Sequence, residues 1–487
     1  MVIAQHLNWL IVILNMLLGL TVNLLLAATV IFLERRNVGA TWAWLMVLFF
    51  LPVVGFILYL FLGQNLSRRK IYKLKDEQRE LINDLVDKQM KDIPHIHFHD
   101  PTMIHFQDLI YMNLNNNYAI YTQDNQVDIF TEGNSKFESL LQAIGEAKHH
   151  IHLMYYTVKN DGLGRRLLEA LAAKAREGVE VRFLYDQIGS SNLTKKFFQP
   201  LTEAGGKSAA FFPSKIPYLN FRVNYRNHRK LAIIDGNIGY IGGLNVGDEY
   251  LGLDSRFGDW RDTHLKVQGG GLFQMQILFV LDWNVSSPDP ILDLNRYLSS
   301  APHSGKVGMQ IVSSGPNNEK EQIKKVYVKM IHAAKQSVWI QSPYFVPDEG
   351  MLTALKIAAL SGVDVRIMLP GKPDHRIVYW ASTSYLGELL SSGVKCYLYE
   401  SGFLHAKTIV VDGRIASVGT ANIDLRSFKL NFEVNAVLYD TTTSTMLRQI
   451  FLQDQEHCRQ LTEEGYRSRP LLKRFLESIA RLLSPIL

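Results

Sequence analysis

Two short stretches of this chain pair an imidazole with an ammonium at a fixed spacing. The first reads His228-Arg229-Lys230-Leu231-Ala232-Ile233-Ile234-Asp235-Gly236 and continues to Gly242-Gly243-Leu244-Asn245. The second reads His405-Ala406-Lys407-Thr408-Ile409-Val410-Val411-Asp412-Gly413 and continues to Gly419-Thr420-Ala421-Asn422. A single His-x-Lys-x4-Asp match arises by chance in roughly a few per cent of chains this long, so alone it is weak. Two copies, each followed at equal distance by Gly and Asn, form a strong signal.

The spacing has a physical meaning. In extended backbone, residues i and i+2 share a face, so each His points the same way as its Lys. The apolar residues that follow suit a buried strand. Asp-Gly then makes a hairpin turn and folds the Gly and Asn back alongside. Asp235 and Asp412 read equally well as turn residues capping their own backbone and as participants in the chemistry. A His and a Lys on one face are costly to bury idle, so both pairs read as functional.

Each half supplies one imidazole, too few for a stepwise displacement. Joined face to face, the halves supply His228, His405, Lys230, Lys407 and the carboxamides Asn245 and Asn422 around one point. That set suits a tetrahedral phosphate, with donors for its oxygens, a nucleophile on one side and a proton donor opposite. The lysines neutralise developing charge, so neither metal nor cofactor is expected. An imidazole that presents one nitrogen usually has its other N–H held by an acceptor. After each motif a further strand pattern opens on an acid, Asp262-Thr263-His264-Leu265-Lys266-Val267 and Glu433-Val434-Asn435-Ala436-Val437-Leu438. The expectation is that Asp262 orients His228 and Glu433 orients His405. The competing reading is local ion pairing with Arg261 or Arg426.

The elements that must position these groups form a repeat. Glu146-Ala147-Lys148-His149-His150-Ile151 matches Ala333-Ala334-Lys335-Gln336-Ser337-Val338, and Tyr155-Tyr156 matches Tyr344-Phe345. An Ala/Leu-rich helical stretch follows in each half and ends at Gly178 or Gly362, a C-cap signal. Strand patterns at residues 179–184 and 363–368 come next. Strand, helix and strand in this order predict α/β halves, mixed sheets flanked by helices. Two copies with so long a period exclude a solenoid. The expected division is 1–66, a membrane hairpin; 67–107, a charged linker; 108–300 and 301–466, the two repeats; and 467–487, an amphipathic helix.

The hairpin rests on two apolar runs, from about Trp9 to Leu33 and from about Thr41 to Leu62. Each is long enough, at ~1.5 Å per helical residue, to cross a hydrocarbon core ~30 Å thick. A cleaved signal peptide fits poorly, because no Lys or Arg precedes the first run and a second run follows it. Arg68, Arg69, Lys70, Lys73 and Lys75 form the larger cationic cluster and place the bulk of the protein in the cytoplasm, against the smaller Arg35-Arg36 pair. His95, His97 and His99 alternate without acidic or thiol companions and read as a linker strand rather than a metal site. Leu471, Leu472, Phe475, Leu476, Ile479, Leu482 and Leu483 share one helical face, flanked by Lys473, Arg474 and Arg481, which reads equally as an interfacial pattern and as a face packed on the protein's own core. The net charge of +6 points to an anionic partner, and the two cysteines exclude a disulfide framework.

At the paired motif the chain resembles the phospholipase D superfamily, over about Asp108 to Glu463. Glu34-Arg35-Arg36, Thr41-Trp42-Ala43-Trp44-Leu45, Pro52, Gly55 and Tyr59 are similar to the amino-terminal region of bacterial cardiolipin synthases. Ser342-Pro343-Tyr344-Phe345-Val346-Pro347 and Trp260-Arg261-Asp262 carry the same likeness. The resemblance implies two tandem phospholipase D-like repeats sharing one active site. It implies joining of two phosphatidylglycerol molecules into cardiolipin with release of glycerol, through a phosphatidyl-histidine on His228. The partners it implies are these lipids in an anionic membrane. A phospholipid hydrolase of the same superfamily is the nearest alternative. Nucleic acid is not an expected partner, since two membrane helices have no evident use in a nuclease.

Overall fold

The computed structural model describes residues 2–28, 38–62, 72, 76–194, 196–213, 224–299, 303–317 and 320–484. Residues 1–69 with 213–225 form one compact unit, and 70–212 with 226–487 form the other.

In the first unit, helix α1 (Val2–Ala28) contains a 21-residue apolar stretch, Asn8–Ala28. At ~1.5 Å per residue this spans about 30 Å, the thickness of a hydrocarbon core. The second apolar run does not form the single crossing helix expected of it. It divides into α2 (Val38–Phe50) and α3 (Pro52–Leu62). The rings of Trp44 and Tyr59 meet edge to face with centroids 5.2 Å apart. In one straight helix those residues would stand about 22 Å apart, so α3 folds back on α2. Pro52 has no N–H to continue the ladder, and it restricts Leu51 before it. Gly55 permits the close return, since a Cβ there would lie 2.8 Å from the Val47 carbonyl oxygen.

The second unit is built on one mixed sheet, among the described residues fifteen strands in its main path and a short sixteenth, Arg226–Asn227, off that path. The first repeat contributes β1 (Thr122–Phe130), β2 (His150–Tyr155), β3 (Glu180–Asp186), β4 (Lys207–Phe211), β5 (Leu231–Ile234), β6 (Ile238–Gly242) and β7 (His264–Gln268). The second contributes β8 (Val307–Ser314), β9 (Ser337–Gln341), β10 (Asp364–Pro370), β11 (Lys395–Tyr399), β12 (Thr408–Val411), β13 (Ile415–Gly419), β14 (Asn431–Tyr439) and β15 (Cys458–Leu461). Their order is β15-β11-β10-β9-β12-β13-β14-β8-β1-β7-β6-β5-β2-β3-β4. Apart from the added β15, the order is a palindrome about the antiparallel β8–β1 junction. In each repeat three strands run parallel, β2-β3-β4 or β9-β10-β11, and the rest pair antiparallel. Helices cover the sheet, among them α4 (Gly271–Ser286), α5 (Arg376–Leu390) and α6 (Leu471–Leu482).

The segment ahead of the first repeat is not a loose linker. Val86, Met103 and Phe106 are buried in one core with Ile323, Val326 and Met330 of the second repeat. The expected strand through His95–His99 is absent: Ile93–His95 is a 3-10 turn, after which the side chain of Gln123 bonds the carbonyl of His97 and the N–H of His99. No regular ladder is available there, so a glutamine amide takes its place.

Candidate active site

Both Asp-Gly turns form as the sequence predicts. Asp235 and Gly236 have φ of 54° and 65°, Asp412 and Gly413 of 54° and 62°, a left-handed pair opening a three-residue loop between the paired Ile234 and Ile238 or Val411 and Ile415. Of the two readings of the aspartates, the contacts match the one in which they cap backbone. Asp235 accepts the N–H groups of Lys148, His149 and His150 at 2.8–2.9 Å, and Asp412 those of Lys335, Gln336 and Ser337 at 2.7–2.8 Å. Each carboxylate thus ties the start of β2 or β9 to the hairpin. A four-residue strand, about 13 Å long, separates it from its His.

The acids expected to orient the imidazoles are present, but crossed between repeats. His228 Nδ1 donates to Glu433 Oε2 at 2.9 Å, and His405 Nδ1 donates to Asp262 Oδ2 at 2.6 Å. The pairing of each acid with the histidine of its own repeat is therefore overturned. Sheet order supplies the reason. Within one repeat β7 or β14 lies two strands, about 10 Å, from β5 or β12. Short parallel pairs meanwhile run between repeats: Arg226–Asn227 beside Asn431–Phe432, and Phe403–Leu404 beside Trp260–Arg261. The His228 N–H donates to the Phe432 carbonyl at 2.9 Å, and the His405 N–H to the Arg261 carbonyl at 2.7 Å. Each histidine is thereby registered one residue from the other repeat's acid. Arg261 does not take Asp262 as an ion-pair partner; its guanidinium grips Asp454 through two bonds of 2.7 Å.

The surroundings fix the protonation states. Burial, the largest influence, pushes both imidazoles down to about 4; Lys230 adds to this at His228 and Lys407 at His405, while Glu433 and Asp262 oppose it. Burial works against ionisation of the two acids, but the partnering imidazoles, the adjacent Lys charges and the hydrogen bonds hold both carboxyls below their ordinary range. The pairs are therefore neutral imidazole and carboxylate. Nδ1 carries the proton, and Nε2, with no partner among the described residues, offers its lone pair. Lys230 and Lys407 are 0% and 1% exposed. Burial lowers them to about 7 and about 8; the charge of Lys407 adds to this at Lys230, while Glu433 and Asp262 oppose it at both. Lys230 Nζ donates to the His228 carbonyl at 2.7 Å and Lys407 Nζ to the His405 carbonyl at 2.5 Å.

The asparagines serve differently. Asn245 accepts from the Thr157 N–H at 3.1 Å and donates to the Tyr250 hydroxyl at 2.9 Å, bonds internal to its repeat. Asn422 donates to Asp424, and its Oδ1 is buried without a partner among the described residues.

Several contributors lie outside the paired His-Lys motif. The ring of Tyr156 lies 4.8 Å from that of His228, and Trp260 lies 5.2 Å from His405. Asp282, on α4, accepts from Asn227 at 2.9 Å and from Arg229 at 2.6 Å, clamping both neighbours of His228. Tyr156 lies in the aromatic segment that recurs in both halves, a trace that could have flagged it; Asp282 leaves none.

A duplicated sheet with two acid-held imidazoles and two buried lysines defines a phosphodiester-handling site of the phospholipase D type, and the relatives make it that of a phosphatidyltransferase. The family model described as "Cardiolipin synthase, PLD-like domain" matches residues 140–255 and 327–455, and "Phospholipase_D-nuclease N-terminal" matches 21–64. The major cardiolipin synthase ClsA of Bacillus subtilis is 55% identical over 469 residues, covering 96% of this chain and 97% of that protein. The cardiolipin synthase of Oceanobacillus iheyensis is 53% identical, covering 97% and 99%. Phosphatidylserine synthase of Haemophilus influenzae shares the fold, with a TM-score of 0.61 at 15% identity over 78% of this chain and 99% of that one. The chain belongs to the cardiolipin synthase family. With the apolar α1, that membership associates it with a membrane.

Proposed function

We propose that the site transfers a phosphatidyl group from one phosphatidylglycerol to the glycerol hydroxyl of another, giving cardiolipin and free glycerol. The observation that carries this reading is the pair of neutral imidazoles, each with Nδ1–H held by a carboxylate. His228 Nε2 attacks the phosphorus, and the P–O bond to glycerol breaks. His405 delivers a proton to the departing oxygen. The bound phosphodiester's negative charge favours the imidazolium that His405 needs for this step, against a resting value of about 4. His405, now neutral, takes the proton from the acceptor hydroxyl as that oxygen displaces His228. Lys230 and Lys407 neutralise the phosphoryl oxygens, and their lowered proton affinity recovers when the anion binds. The bond broken and the bond made are alike, so the exchange needs no energy source. Purified enzyme given phosphatidylglycerol should yield cardiolipin and glycerol in equal amounts. Phosphatidic acid as the main product would make water the acceptor and overturn the reading.

The fold-back of α3 on α2 supports a revised membrane topology in which α1 crosses once and the α2–α3 pair enters and leaves from one face. Arg35-Arg36 and the Arg68–Lys75 cluster then lie on the same side, and both obey the positive-inside preference with the catalytic unit in the cytoplasm. Single cysteines replacing Arg36 and Arg69 should both resist an impermeant thiol reagent in intact cells. Labelling of residue 36 alone would restore the two-span hairpin.

A further inference from the structure

Helix α6 is mounted inside out. Glu477 and Ala480, 2% exposed each, form its inner face. Thr383 of α5 donates to Glu477 at 3.0 Å, Arg469 pairs with the same carboxylate, and Tyr385 and Ser484 share a hydrogen bond of 3.0 Å. The helix is thus docked by polar contacts. Leu471, Phe475 and Leu482 face outward, 79%, 61% and 80% exposed. The 100° step between helical residues puts these side chains, with Leu472 and Ile479, on the side opposite Glu477 and Ala480. Among the described residues this face does not pack on the protein's own core, the ordinary destination of such a face.

We propose that this face is a docking surface for an anionic lipid bilayer, with α6 lying in the plane of the headgroup–acyl boundary. Charge selects this occupant. The helix carries the cations Lys473, Arg474 and Arg481, while its one carboxylate, Glu477, is turned inward. Lys473 and Arg474 make no ion pair among the described residues, and Arg481 bonds Glu388 of α5. Pairing with a second copy of α6 would bring cations against cations, with no exposed carboxylate on the helix to answer them. An anionic bilayer meets both the apolar stripe and its basic rim. The neighbouring helix adds to the surface. On that helix, Glu349–Leu360, Lys356 shares Glu388 of α5 with Arg481, and Ile357 and Leu360 beside it are 52% and 72% exposed.

The choice of an anionic lipid rests on the phosphatidylglycerol reading above; the test does not require turnover. A full-length Cys458→Ser protein would carry Phe475→Cys or Leu482→Cys with a nitroxide, in vesicles of phosphatidylglycerol and phosphatidylcholine. Oxygen should reach the nitroxide while a water-soluble nickel chelate should not. Equal access by the chelate would overturn the proposal. Dipolar broadening between labels on two molecules would also overturn it and assign the face to a second copy. A Leu472→Glu/Phe475→Glu variant should lose the shielding of a label at Leu482. If it kept that shielding, the apolar stripe would not be what inserts. Failure of cardiolipin synthesis with the shielding intact would sink the substrate reading and leave the docking surface standing.

Discussion

The two repeats reach the same geometry by opposite means. In the second, Glu433 arrives from β14 with a long side chain and is held in transit. Thr420 Oγ1 donates to it at 2.6 Å and Asn431 Nδ2 at 3.1 Å, besides His228. In the first, the shorter Asp262 lies against Gly243, the residue at Thr420's place in the repeat. A Cβ on Gly243 would sit 2.0 Å from Asp262 Oδ1. Glycine therefore makes room where threonine makes a bond, and the N–H of Thr263, at 2.7 Å, serves as Asp262's local donor. The duplication preserved the position of the carboxylate rather than the residues around it. It also made each half incomplete, because the acid that orients a histidine belongs to the other half.

Removing one charge at a time is the most severe way to break this symmetry. Glu433→Gln should slow formation of the phosphatidyl-enzyme by roughly 10^3–10^4-fold, the scale seen when the carboxylate behind a catalytic histidine is neutralised. Asp262→Asn should cost a similar factor in turnover through His405, while a substrate with a good leaving group still loads His228. Rapid-quench trapping of the adduct separates the two. If Asp262→Asn instead abolished loading and Glu433→Gln spared it, the crossed assignment would be wrong.

A smaller perturbation tests the room that Gly243 makes. Gly243→Ala forces Asp262 aside and should lower kcat on the order of 10^2-fold, as an ångström-scale misplacement does. Thr420→Ala leaves Glu433 in place and short of one donor, and should cost about 1–3 kcal/mol of stability with a milder loss of rate. Equal effects of the two substitutions would deny the difference between the repeats.

The lysines differ by a smaller margin, about 7 for Lys230 against about 8 for Lys407, both lowered by burial. Each must be an ammonium to neutralise the phosphoryl oxygens, so kcat/KM should fall as pH rises through that range. The alkaline limb of kcat should lie higher, because bound phosphate favours the charged form. At the acid end activity should fall toward pH 4, where His228 loses its lone pair to a proton. Coincident alkaline limbs for kcat and kcat/KM would contradict this.

The least effect on chemistry is expected from the motif aspartates. Asp235→Ala and Asp412→Ala each remove the acceptor of three backbone N–H groups and should cost about 1–3 kcal/mol, read as a lower Tm. Turnover of the folded protein should be unchanged in both, since neither carboxylate reaches an imidazole. A selective loss of kcat in either would mark a difference between the repeats that the geometry does not contain.

Much of this site was legible in the sequence because its signals are local. Spacing of two fixes His and Lys on one face, Asp-Gly fixes a hairpin, and recurrence of the whole at equal offsets fixes duplication. The two acids were legible by the same logic, as residues opening the strand after each motif. Their partners were not. Which histidine a carboxylate meets depends on strand order and on pairing between segments more than a hundred residues apart, Trp260–Arg261 beside Phe403–Leu404. No local pattern encodes that choice. The same holds for the second apolar run. Hydropathy measures how apolar residues 41–62 are, but the fold-back of Tyr59 onto Trp44 is a tertiary contact. The sequence by itself determined the chemistry's parts, the α/β repeat and the apolar anchor, because periodicity and turn propensity act over a few residues. Only the tertiary structure decided that each half orients the other's histidine, that Asp235 and Asp412 tie strands together, and that α6 turns its apolar face outward, because these follow from which surfaces compete for the same neighbours once the sheet has closed.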